Sequence, residues 1–116
     1  MQSDWEAQFE AFINLALAAN PDPAHDLAHV QRVVANARLL AAAEGADPAV
    51  VLPAAWLHDC VVLPKNSARR AEASRLAAES AGAFLRAAGY PVELIPAIEH
   101  AIAAHSFSAA AQVAAR

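Results

Sequence analysis

Alanine constrains this chain more than any other feature: 34 of its 116 residues are Ala. Alanine has the highest intrinsic helix propensity, because it loses no side-chain entropy in a helix and buries no polar group. The residues that favour strands are scarce, and aromatics amount to 6%. The expected fold is therefore all-α, in one domain spanning residues 1–116. With 58% hydrophobic and 17% charged residues, the chain has the means to bury a core and lacks the signature of disorder.

Several classes drop out early. The single cysteine, Cys60, forbids an internal disulfide framework and any Cys-rich zinc module. No apolar run approaches the ~18 residues that span a bilayer. The first residues, Met1 to Glu6, are polar and acidic, unlike a secretion signal. A net charge of −4 gives no nucleic-acid footprint. A cytoplasmic location, with neither a membrane nor a nucleic acid as partner, is the expectation.

Punctuation divides the chain into about five helices. Ser3 and Glu6 fit a capping box, followed by an apolar stripe of Trp5, Phe9, Phe12, Ile13, Ala16 and Leu17. Pro21 and Pro23 stop that helix. The second starts between residues 22 and 26 and runs to Glu44, with Gly45 as its stop. Its stripe is Leu27, Val30, Val33 or Val34, Ala37, and Leu40 or Ala41. Asp47-Pro48 opens the third, which runs to about Asp59 and should bend at Pro53. After a loop over 61–67, Asn66 or Ser67 caps a long fourth helix ending at Gly89. The fifth opens between residues 91 and 96 and reaches about His105. Pro96 implies a broken or late start, and the residues after Phe107 carry no anchor.

The chemistry-bearing residues gather at helix ends. His25 and His29 sit at the start of the second helix, His58-Asp59 at the end of the third, and His100 and His105 at the end of the fifth. Imidazole and carboxylate together suit first-row divalent metals. Adjacent helical residues point about 100° apart, so His58 and Asp59 share an ion only where the helix is ending. Ala54-Ala55-Trp56-Leu57 is an apolar approach to that doublet, and an Asp so placed needs a metal or an arginine. His25-Asp26-Leu27-Ala28-His29 also resembles the HExxH zinc-protease pattern, with Asp in place of Glu. Cys60 reads as a small buried hydrophobe, and His100 as a surface residue. Lys65, Arg69, Arg70 and Arg75 form a basic run after the doublet. For Lys65 and Arg69 a phosphate clamp and a solvated helix face stand level, and Arg75 reads as balanced by Glu72 and Glu79.

Taken in order, these segments resemble the HD superfamily of metal-dependent phosphohydrolases, and in particular its small bacterial stand-alone branch. They are His25-Asp26-Leu27-Ala28-His29-Val30-Gln31-Arg32-Val33, then His58-Asp59, Lys65-Asn66 and His105-Ser106-Phe107-Ser108. The resemblance covers essentially the whole chain. It implies an HD-type bundle with His29, His58 and Asp59 as ligands of a divalent ion: Mn, Mg, Fe, Co, Ni or Zn. Asp59 would also orient a water. Lys65, Arg69 and His105 would contact the phosphate of a small substrate, with nucleotides the class to which relatives point, and Lys65 and His105 would share in the chemistry. Arg32 would act beside His29.

The family's fourth ligand is an Asp in a segment some twenty residues after HSFS, and this chain has no acidic residue after Glu99. The expectation is therefore a truncated or short form, with an apolar opening around Val33, Leu57 and Ile102 covered by a second copy in a homo-oligomer. The alternative is a non-catalytic metal-binding or oligomerising module derived from such an enzyme.

Overall fold

A computed structural model describes residues 2–19, 26–61 and 72–104. These form five α-helices and one 3₁₀ turn, with no strand among the described residues: α1 (Gln2–Ala19), α2 (Leu27–Glu44), α3 (Pro48–Leu57), α4 (Ala73–Ala88), the turn Val92–Leu94 and α5 (Ile95–Ala104). The all-α expectation holds.

Local chemistry sets most of the boundaries. Asp26 caps α2, its Oδ1 accepting the backbone N–H of His29 at 2.9 Å. Asp47 caps α3 in the same way, accepting from the N–H of Ala49 at 2.9 Å, with Pro48 at the first helical position. Gly45 and Gly89 close α2 and α4 with φ of 70° and 84°, a left-handed conformation that costs a glycine little. The fifth helix does start late: Pro91 leads into the 3₁₀ turn, and Pro96 falls in the first turn of α5, where its missing N–H is no loss. Helix α1 begins at Gln2, so Ser3 lies inside the first turn rather than before it. The expected cap of the fourth helix at Asn66 or Ser67 lies outside the described residues.

Helix α3 is the axis of the fold. It packs against α1, α2, α4 and α5, and every residue from Leu52 to Leu57 is buried. Helix α1 supplies Phe9, Ile13 and Leu17 to the core, α2 supplies Val30, Val34, Ala37 and Ala41, and α5 supplies Ile95, Ile98 and Ile102. Helix α4 turns Ala77, Ala78, Ala81 and Leu85 inward, and such small residues let α5 approach closely. Pro53 sits within α3, which continues across it as one helix. Lacking an N–H, Pro53 leaves the carbonyl of Ala49 without its helical donor.

Ion pairs tie the helices together outside the core. Arg38 of α2 reaches Glu6 of α1 at 2.6 Å, and the Trp56 indole of α3 donates to the same carboxylate at 3.0 Å. Arg86 of α4 pairs with Glu99 of α5 at 3.0 Å. One expectation fails here. Leu57 and Ile102 are 0% exposed and Val33 is half-buried, so no apolar opening surrounds them. The neighbouring helices already cover these side chains, and the case for association built on that opening lapses.

Candidate metal centre

The third helix ends two residues sooner than expected. Its last residue is Leu57, and His58 is its C-cap. This early ending frees the doublet from helical geometry. His58 and Asp59 lie in the turn beyond the helix, where both side chains aim at the same point. The first turn of α2 brings His29 to that point, placed by the Asp26 cap.

His58 Nε2 lies 3.4 Å from Asp59 Oδ2, and His29 Nε2 lies 3.7 Å from the same oxygen. One ligand atom from each of the three residues falls within 4.8 Å of the other two. The two imidazole centroids are 6.0 Å apart. Two atoms bound to one ion at about 2.1 Å stand ~3.0–3.5 Å apart at octahedral or tetrahedral angles. Both histidine–carboxylate separations are close to that spacing.

The His58 ring is held by its other nitrogen. Nδ1 lies 2.7 Å from the carbonyl oxygen of Ala55. A carbonyl only accepts, so Nδ1 carries the hydrogen. The oxygen belongs to the last turn of α3, where carbonyls run out of helical partners. In the neutral ring Nε2 then carries a lone pair 3.4 Å from a carboxylate oxygen. A cation near this point, a proton on Nε2 or a metal ion, would offset the repulsion between the nitrogen and the carboxylate. Histidine ligands in metal sites are oriented by this same pairing of the second nitrogen with a carbonyl or carboxylate. Burial follows a gradient: His58 is buried, Asp59 is 15% exposed at its side chain and His29 is 35% exposed. The centre is closed on the α3 side and open to solvent on the α2 side.

Other expected site residues are distributed as follows. His25, Lys65, Arg69 and His105 lie outside the described residues. Arg32 is exposed on α2, one turn after His29. Arg75 pairs with Glu72 and, at 2.9 Å, with Glu79, so it belongs to a solvated face. Asp26 engages Oδ1 in capping α2, and His25, the first histidine of the HExxH-like pattern, lies outside the described residues. Cys60 is buried, and burial pushes its thiol pKa up to about 11, so it stays protonated at neutral pH. His100 is on the surface. The Ala55 carbonyl was not anticipated, although a histidine three residues after a helical carbonyl, at the helix end, is the signal for it.

Comparison with protein-family models, curated proteins and solved structures finds no match for this chain.

Proposed function

We propose that the chain is a metal-dependent phosphohydrolase of the HD type, acting on a phosphoester or phosphoanhydride of a small molecule, with nucleotides the favoured class. The observation that carries the reading is the convergence of His29, His58 and Asp59, with the His58 tautomer fixed by Ala55. His29 Nε2, His58 Nε2 and Asp59 Oδ2 would hold a divalent ion. When bound, such an ion polarises a phosphoryl oxygen and lowers the pKa of a coordinated water towards neutrality.

The remaining work falls to the chain's own residues. Asp59 has a second oxygen that can accept a hydrogen bond from the attacking water and set its direction. The exposed side of the site, towards His29 and Arg32, is where a phosphate can approach. Lys65, Arg69 and His105 are the residues assigned to its charge, since cationic donors stabilise the oxygens of a transferring phosphoryl group.

Metal analysis of the purified chain, with phosphate release measured on nucleotides and simple phosphoesters in Mn, Mg, Co or Ni, tests the reading. Hydrolysis that requires the ion and disappears in Asp59→Asn supports it. Stoichiometric metal without any hydrolysis transfers the chain to the alternative, a non-catalytic metal-binding module. Absence of both metal and activity ends the proposal.

A further inference from the structure

Asp26 accepts two bonds at the start of the helix that carries His29. Its Oδ1 accepts the N–H of His29 itself at 2.9 Å, and its carbonyl oxygen accepts the N–H of Val30 at 3.2 Å. An acid three residues before a histidine has capping spacing, because an N-cap side chain reaches the amide three positions on. Here that amide belongs to a candidate metal ligand.

The three ligands are not held alike. His58 is buried, and its Nδ1 is tied to the Ala55 carbonyl at 2.7 Å. Asp59 follows in the same turn, where the N–H of Cys60 returns to the carbonyl of Leu57 at 3.1 Å. His29 comes from a different helix, with a side chain 35% exposed and its Nε2 3.7 Å from Asp59 Oδ2. It stands in the first turn of α2, where amides have no helical carbonyl to bond. The next residue, Val30, is fixed in the core at 0% exposure. The direction in which the His29 side chain leaves the backbone is therefore set between two holds, the buried Val30 and the capped amide. A ligand constellation has to stay within about 0.5 Å of its working geometry. Without the cap, the peptide plane before His29 can turn, and the imidazole turns with it.

We infer that Asp26 is a positioning residue of the metal centre: by capping the amide of His29 it holds that imidazole where it can share an ion with His58 and Asp59. Asp26 acts through His29 and is not itself a ligand. This role presupposes that the site binds a metal, as proposed. When only part of the population has His29 in place, the apparent affinity for the ion falls by that fraction.

Asp47 supplies the control. It caps α3 with a bond of the same length, 2.9 Å, at the end of that ten-residue helix away from His58, about 15 Å along its axis. Manganese and zinc ions are the probes, titrated into the full metal-free chain at a temperature where circular dichroism shows every variant folded. Asp26→Ala should weaken the ion about 3- to 10-fold, within the range that loss of a cap allows. Asp47→Ala should change it less than about 2-fold, since distant sites do not couple. Asp26→Asn keeps an accepting oxygen and should restore most of the affinity. Amide exchange gives a readout in the metal-free chain. The Val30 N–H should exchange faster in Asp26→Ala than in wild type, and adding the ion should slow it again, because coupling is reciprocal. Equal weakening by Asp26→Ala and Asp47→Ala would assign the effect to global stability and overturn the inference. So would an unchanged affinity in Asp26→Ala, or an Asp26→Asn variant as weak as Asp26→Ala. A wild-type chain that binds neither ion would instead remove the metal centre, and this role with it.

Discussion

The hydroxyl of Tyr90 donates a 2.5 Å hydrogen bond to the carbonyl of Ala49. That carbonyl is the one Pro53 cannot serve, so a side chain 41 positions away does the work of a missing backbone N–H. Tyr90→Phe should destabilise the protein by roughly 0.5–1.5 kcal/mol, the net worth of a hydrogen bond to a part-buried acceptor. Pro53→Ala restores a donor four residues from Ala49. In the Tyr90→Phe background it should return part of that loss, and a double-mutant cycle in urea would measure the coupling. Strict additivity of the two changes would show that they do not share this carbonyl.

Trp56 is 6% exposed and its indole N–H is engaged with Glu6. Trp56→Ala should cost about 3–5 kcal/mol, as other large core truncations do. Denaturant unfolding gives the number, and a loss under about 1 kcal/mol would mean that the side chain contributes little to the core.

Glu6 makes stability depend on pH. Burial on its own would raise its pKa, but hydrogen bonds from Arg38 and Trp56, with the charge of Arg38, outweigh burial and hold it below the usual carboxylate value. The folded pKa thus lies under the unfolded value of about 4.3. The stabilisation is complete above that value and is lost as pH falls through the folded pKa. Wild type should therefore exceed Glu6→Gln in unfolding midpoint at pH 7, and the gap should shrink towards pH 3. A gap independent of pH would assign the effect to packing.

An ion that binds only the folded chain raises its melting temperature. At a concentration near 100 Kd the gain is about 2.7 kcal/mol, enough for a shift of several degrees in a domain of this size. Manganese or zinc should produce that shift in wild type, and Asp59→Asn or His58→Ala should abolish it. An equal shift in all three proteins would place the ion elsewhere.

The helix plan was readable because its signals are local. Asp26, Gly45, Asp47-Pro48 and Gly89 each act within a turn of their own position, and each marks an observed boundary. The stripe from Trp5 to Leu17 likewise states which face of α1 turns inward. What joins the helices was not readable. Nothing in the spacing of Glu6, Arg38 and Trp56 announces that three helices meet at one carboxylate, because side chains so far apart are brought together only by packing. His29 and His58 are a similar case. Their convergence was expected from the order of motifs, not from periodicity, and the Ala55 lock depended on where α3 stops. The supposed opening at Leu57 and Ile102 was an inference about the chain's extent, and the packing of α3 and α5 had already closed it.

The buried stretch of α3 has a consequence for biosynthesis. No side of the helix from Leu52 to Leu57 is made for water, and α5, one of the helices packed against it, begins 38 residues beyond Leu57. At a translation rate of roughly 5–20 residues per second, about 2–8 s separate the emergence of the two. In that interval the nascent chain has only α1 and α2, and later α4, to shelter its most apolar segment. Until α5 emerges, that segment lacks one of the helices that bury it in the finished fold.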